Sequence, residues 1–364
     1  MKFTAEVTAL QDALANVVKA LPVRSTMPVL EGIYMELKGD KLLLRCSDTM
    51  MQKESVIDVE GEDEGVCVIP SKLFYEYVRK LPSEKVELKL LENSVSLKCG
   101  KSRSKFQCIE FDNYPAMSVG DGDKFIEAEA AALQKILQRI VPFTGQDESR
   151  PALTGAYIEA RDNKLTMVAT DSFQLSMQSM SLKIPCDEIK TIIPGKTIGE
   201  LLRMTEKGDG TVRLVFTRTH LRVDMGYSRL VSRLIEGNYI DYKRILPQSA
   251  KIRCSAEKED VYYCMDRLQL VSREGNNSIV MRLGSENISV SARGSNGESN
   301  DEIPVQLSGE ELEIAFNPKY IMNALKGIDD ERIYMEFNSS VNPCKIRGVT
   351  NEDSIYLVVP MRLV

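Results

Sequence analysis

The chain contains no tryptophan, a single histidine and no two cysteines in a CxxC pair. Each absence removes a class of chemistry. His220 stands between Thr219 and Leu221 at the head of an alternating run, so it reads as a strand or turn residue rather than a catalytic base. The 8 cysteines (Cys46, Cys67, Cys99, Cys108, Cys186, Cys254, Cys264 and Cys344) are scattered, several of them beside apolar residues in strand patterns. That spacing suits reduced, buried thiols better than metal ligands or disulfides. There is no GxxxxGK[ST] loop and no GxGxxG run, so no phosphate cradle is visible. No apolar run approaches the ~20 residues that span a bilayer. The opening Met1-Lys2-Phe3-Thr4-Ala5-Glu6 lacks the apolar stretch of an export signal, so a cytoplasmic location is expected. No set of nucleophile, base and orienting group can be assembled. The acidic run Glu60-Gly61-Glu62-Asp63-Glu64 is expected to be a solvated turn between strands, and neither a metal nor a cofactor is expected.

What is present is an ordinary soluble balance, 43% hydrophobic and 27% charged, built on a long repeat. Pro70, Pro194 and Pro318 follow one another at intervals of 124 residues. At each, an apolar strand-like run meets the proline and a helical pattern follows: Val66–Ile69, Thr191–Ile193 and Ile314–Asn317 before it, Ser71–Arg79, Gly195–Arg203 and Lys319–Lys326 after it. Proline suits the first turn of a helix, where its missing N–H would have no partner. Alternating strands follow each helix, at Val86–Leu90 and Val95–Cys99, Val212–Phe216 and Leu221–Met225, Ile333–Phe337 and Cys344–Val349. A period of two implies one buried and one wet face, as in antiparallel sheets.

Each unit also opens with an apolar helical stripe: Leu10, Leu14, Val17, Val18 and Leu21; then Leu133, Ile136, Leu137 and Ile140; then the less regular Val261, Met265, Leu268 and Val271. The first two units share Cys46-Ser47-Asp48-Thr49 and Ala169-Thr170-Asp171-Ser172, whereas the third has Gly294 in place of the acid. The fold class that follows is α+β, three tandem copies of two helices against antiparallel sheets. The polar stretch 118–123 and the Pro-marked 246–249 suggest domains at 1–121, 122–247 and 248–364.

Cations recur in register on the helix after each proline. Lys72 and Arg79, Lys196 and Arg203, and Lys319 and Lys326 are each seven apart, two turns along one face. Others lie on or near the opening helices: Lys19 and Arg24, Lys135 and Arg139, Lys258 and Arg267. They are either solubilising charges or a lining for a polyanion. The net charge of −6 argues against coating DNA by phosphate neutralisation. A local basic lining would suit loose, sliding contact with DNA, held on by enclosure.

Several segments carry a family resemblance: Met1-Lys2-Phe3-Thr4, Arg24-Ser25-Thr26-Met27-Pro28-Val29-Leu30, Ala169-Thr170-Asp171, Asp241-Tyr242-Lys243-Arg244-Ile245-Leu246-Pro247, Phe316-Asn317-Pro318-Lys319-Tyr320, and the ending from Tyr356 to Leu363. Over its whole length the chain resembles the bacterial DNA polymerase III beta subunit, the replicative sliding clamp. The resemblance implies a head-to-tail homodimer closed into a ring of six domains, with helices lining the hole and sheets outside. It implies non-specific encirclement of double-stranded DNA, no catalysis, and Arg24, Lys72, Arg79, Arg150, Lys196, Arg203, Lys319 and Lys326 facing the DNA. Phe106 and Cys108 would meet Leu270 and Val271 across the subunit boundary. The replicative polymerase, the clamp loader, other polymerases and repair proteins would dock through short apolar peptides, with no membrane partner.

The implied peptide pocket between the second and third domains has Leu153, Thr170, Ser172, Phe173, Leu175, Ile240, Arg244 and Ile245 on one side. Tyr320, Val341, Pro343, Leu357, Val359, Pro360, Met361 and Arg362 complete it. The sequence departs from the family pattern at Phe173, where a His is usual, at Ile240, where a Pro is usual, and at Val364, which extends the usual ending. Leu357, Val359 and Met361 read equally as a last core strand, which Pro360 would end, freeing the tail.

Three rival classes stay in view. A tandem adhesion or glycan-binding protein would need export and clustered exposed aromatics. An enzyme with carboxylate-held metal would need the acid that Gly294 replaces. A plain interaction scaffold would not bind DNA.

Overall fold

A computed structural model of the chain describes residues 1–82, 84–120, 124–206 and 209–363. Asp121 to Asp123 of the first expected joint, and Val364, therefore lie outside the described residues. The chain divides into two compact units, 1–129 with 210–234, and 130–209 with 235–364.

The first unit holds two antiparallel sheets. One runs Glu60–Asp63, Lys2–Glu6, Lys85–Leu91, Ser94–Cys99, Ser102–Gln107 in spatial order. The other has eight strands, in the order Lys124–Glu129, Thr211–Phe216, His220–Met225, Ser228–Arg233, Met51–Asp58, Lys41–Ser47, Gly32–Lys38, Gly65–Pro70. The helices Val7–Val17 and Ser71–Val78 pack against each other. Leu10, Leu14 and Val17 of the first and Phe74 and Val78 of the second are fully buried. Full burial of such a side chain stabilises by roughly 1.5–3 kcal/mol before ordering costs, which is why the stripe fixes the helix face.

In the second unit, ten strands run Gly155–Thr170, Gln174–Pro194, Ser354–Val358, Cys344–Gly348, Arg332–Phe337, Ile252–Glu257, Glu298–Ser308, Asn287–Arg293, Ile279–Leu283, Leu312–Phe316. Glu298–Ser308 changes partners along its length. Residues 305–308 pair with Ile252–Glu257, and residues 298–304 pair with Asn287–Arg293. The helices are Ala130–Ile140, Gly195–Met204, Lys258–Ser272 and Pro318–Lys326, with a short turn at Tyr242–Ile245. Leu133, Ile136, Leu137 and Ile140 are buried, as are Val261, Met265 and Leu268.

Two expectations are corrected. Of the three repeated prolines only Pro318 opens its helix from inside, with the Asn317 side chain accepting from the Lys319 N–H at 3.0 Å. Pro70 and Pro194 are the last residues of their strands, opposite Gly32 and Gly155, and the helix starts one residue later. A strand terminus tolerates the missing donor equally well. The acidic run is no turn: Glu60–Asp63 is an edge strand on Lys2–Glu6. Lys2 pairs with Glu62 and Lys85 with Glu60, both at 2.5 Å, so cations from other strands offset the clustered acids. Among the described residues no group of His, Cys, Asp and Glu could hold a metal ion.

Candidate peptide groove, basic faces and edge strands

The shared Asp element is a backbone clamp. The Oδ1 of Asp171 accepts from the N–H groups of Phe173 and Gln174, both at 2.9 Å, and Ser172 between them has a φ of 80°. Asp48 does the same for Met50 and Met51 at 3.0 and 2.7 Å, with Thr49 at a φ of 72°. A short acceptor side chain that bonds to the backbone two and three residues on makes such tight turns. In the third copy Gly294 donates to the Gly297 carbonyl at 2.9 Å instead, and a Cβ there would collide with the Val271 carbonyl oxygen. The acid is thus a turn former, which explains its loss without loss of fold.

In the second unit this clamp presents Phe173 outward, 57% exposed. Its ring stacks on Tyr320 with centroids 6.2 Å apart and planes 9° apart. The Phe173 carbonyl accepts from Val359 at 2.9 Å, and Met361 donates to the Ala315 carbonyl at 2.7 Å. Pro360 therefore does not free the tail. It falls after the strand Ser354–Val358, and the donors on either side of it are both used. Leu175 and Leu357 sit opposite each other in the ladder and are buried with Val168 and Tyr242. Tyr239 and Leu246 of the connecting segment pack over them, and the Tyr242 hydroxyl donates to Glu159 at 2.8 Å.

The expected pocket residues thus sort into layers. Leu153, Thr170, Leu175 and Leu357 are buried. Ile240, Tyr320, Pro343, Val359, Pro360 and Met361 are half-buried. Ser172, Phe173, Arg244, Ile245, Val341 and Arg362 are exposed. Val341 and Pro343 belong to a separate turn, in which the Ser339 hydroxyl donates to Asn342 at 2.6 Å. Leu363, 47% exposed at the tail, is an apolar surface residue that sequence reasoning left out.

All eight cations expected to face DNA are exposed. Arg79 pairs with Glu76 at 3.4 Å, and Arg203 pairs with Glu200. Arg150 lies off the helices that follow Pro70, Pro194 and Pro318, and its Nη1 donates to Ser172 at 3.1 Å. Several cations of the opening helices are engaged internally. Arg139 pairs with Asp329 at 2.7 Å, Arg267 with Asp301, and Lys258 donates to the Ile328 carbonyl at 2.9 Å.

Of the residues expected at the subunit boundary, Leu270 is 66% exposed and Val271 half-buried. Phe106 is only 6% exposed. Its ring sits edge-on against Phe74 and Tyr77, each 5.3 Å away. Cys108 is half-buried and lies beside the buried Cys67 thiol, whose pKa that contact and burial push up. The apolar surface nearest Phe106 is offered by Tyr77, and Leu73 on the same helix is exposed.

Comparison with known proteins decides the family. Family models for the DNA polymerase III beta subunit match end to end: the N-terminal domain over residues 1–118, the central domain over 127–241 and the C-terminal domain over 243–362. The chain belongs to the DNA polymerase III beta subunit family. It carries three tandem clamp domains of mixed helix and antiparallel sheet. Relatives of this family include the beta sliding clamp of Staphylococcus epidermidis, 29% identical over 374 residues that cover 100% of this chain and 99% of that protein. The Staphylococcus aureus beta sliding clamp is 28% identical with the same coverage. The solved DNA polymerase sliding clamp of Bacillus subtilis superposes with a TM-score of 0.96 at 29% identity, covering 100% of both chains. A Pseudomonas aeruginosa sliding clamp bound to griselimycin gives 0.95 at 27% identity, again over both whole chains.

Proposed function

We infer that the chain is a DNA sliding clamp, a processivity factor that encircles duplex DNA without reading sequence and tethers polymerases to it. The observation that carries this is the unbroken succession of three clamp-domain matches over nearly the whole chain. On this reading the protein has no catalysis of its own and acts in the cytoplasm. Its partners are DNA, the replicative polymerase, the clamp loader and other polymerases and repair proteins. Its three domains divide at 121/122 and 247/248. The exposed cations Arg24, Lys72, Arg79, Lys196, Arg203, Lys319 and Lys326 face the duplex, and Phe173, Tyr320, Ile245, Val359 and Met361 receive client peptides.

The repeat also proposes how the ring closes. In the first unit Ser228–Arg233 adds antiparallel to Met51–Asp58, with Arg229 opposite Glu54 and Val231 opposite Gln52. In the second, Ser354–Val358 adds in the same way to Gln174–Pro194, with Leu175 opposite Leu357. The equivalent strands of the remaining pair are Ser102–Gln107, at a sheet edge, and the 298–304 part of Glu298–Ser308, which pairs on one side only among the described residues. Open edges are liabilities that proteins pair or cover. Joining these two between copies sets Lys105 opposite Glu298, Arg103 opposite Asn300 and Phe106 opposite Gly297. Such a head-to-tail contact closes into a ring when its rotation permits. Electron microscopy of the purified protein tests the reading together with retention on circular against linearised DNA. Monomers without a central hole, or equal retention on both DNA forms, would count against it.

A further inference from the structure

One corner of the last repeat brings Arg253, Lys345 and Arg347 together against Glu336 and Glu352. Arg253, Glu336 and Lys345 form one row across three strands, each directly opposite the next in the ladder. Arg347, two residues along from Lys345, stands opposite Tyr334. Both guanidiniums lie over the Tyr334 ring, Arg253 at 5.1 Å and Arg347 at 4.9 Å from its centroid, which holds their planes in place. The Oε1 of Glu336 receives Arg253 at 2.9 Å and Arg347 at 3.4 Å, and its Oε2 receives Lys345 at 3.2 Å. Glu336 is buried, and the side chains of Lys345 and Arg347 are mostly shielded from solvent. Burial opposes its ionisation, but Lys345, Arg347 and Arg253 together hold its carboxyl below the usual range, so it stays charged.

Three cations thus converge on one buried carboxylate. An arginine brings five N–H donors and a lysine three, so donors far outnumber the acceptor sites of one carboxylate. The same three cations and Glu336 itself line a cavity of about 270 Å³, walled by Pro247, Gln248, Ser249, Ala250 and Ile355, with the exposed Glu352 also on its lining. Three cations against the two carboxylates Glu336 and Glu352 leave one positive charge over, and the half-exposed Arg253 keeps N–H donors free to turn to an anion in the cavity.

We propose that this cavity between Arg253, Lys345, Arg347 and the 247–250 segment binds a phosphoryl group. The tetrahedral oxyanion matches two fixed guanidinium forks and one ammonium. None of its lining residues belongs to the proposed peptide groove or to the exposed cations on the helices that follow the repeated prolines.

Calorimetric titration of the full-length protein with inorganic phosphate, at fixed ionic strength against a chloride control, tests the assignment. A matched pair of peptides with and without a phosphoserine forms the second arm. Phosphate is expected to bind above the chloride control. Arg347→Gln is expected to weaken it by about tenfold, the loss of a charge-assisted contact. Glu352→Gln, an exposed change, removes a negative charge from the cavity lining and is expected to tighten it. A phosphopeptide that binds more tightly than phosphate assigns a protein-borne ligand, and equal binding assigns a free one. The proposal is overturned if the parent takes up no phosphate, or if folded Arg347→Gln binds as the parent does and Glu352→Gln fails to tighten.

Discussion

Reversing Lys105 is the sharpest probe of ring closure. In the proposed register Lys105 of one copy lies directly opposite Glu298 of the other, and Glu298 already meets Arg293 on its own unit at 3.4 Å. Lys105→Glu removes an attraction worth roughly 0.2–1 kcal/mol for an exposed pair. It adds a like-charge cross-strand pair of similar size, so each interface loses about 0.5–2 kcal/mol. A two-subunit ring has two such interfaces, and about 1–4 kcal/mol per ring raises the dimer dissociation constant about 5- to 1000-fold. Glu298→Lys should do the same, and the double variant should recover most of the loss. Sedimentation equilibrium over a concentration series reads both outcomes, and the effect should shrink as salt screens the pair. Phe106 gives an internal control: its ring is held by Phe74 and Tyr77, so Phe106→Ala should lower thermal stability as well as dimerisation. The reasoning fails if Lys105→Glu dimerises like the parent, or if the double variant is no better than either single one.

Three further outcomes are expected. Glu replacements of the pairs Lys72 and Arg79, Lys196 and Arg203, or Lys319 and Lys326 should leave folding intact and weaken retention on circular DNA, most at low salt; unchanged retention would make them solubilising charges only. Phe173→Ala removes the ring stacked on Tyr320, and an aromatic pair is worth ~0.5–1.5 kcal/mol, so an aromatic-anchored client peptide should bind about two- to tenfold more weakly by fluorescence anisotropy. Deleting residues 361–364 removes the Met361 to Ala315 hydrogen bond and should abolish peptide binding while the dimer persists; undiminished affinity would move the groove elsewhere.

A pH prediction follows from Glu336, whose carboxyl is held low in the folded protein. A depressed carboxylate contributes stability above its unfolded value of about 4.3, and that contribution is lost as pH falls through the folded value. Glu336→Gln should flatten this acid limb in denaturant unfolding, and an unaltered slope would show that other groups set it.

The sequence by itself determined the repeat, the helix stripes and the alternating strands, because these are local. A strand shows its faces at every second residue and a helix at every third or fourth, so Leu10, Leu14 and Val17 announce their own burial. Even the turn at Asp171 is legible, since its partners Phe173 and Gln174 are two and three residues on. What only the tertiary structure decided involves partners distant along the chain. Lys2 turns Glu62 into part of a strand from 60 residues away, and Asp329 takes Arg139 out of a basic face from 190. Leu175 and Leu357 are buried because Tyr242 and its neighbours pack over them, and Phe106 turned inward because Phe74 and Tyr77 lay beside it. The cluster on Glu336 is of the same kind: Arg253 comes from a strand 83 residues earlier. No periodicity records which strands will lie side by side, so the pairing of charges across them is written only in the folded sheet.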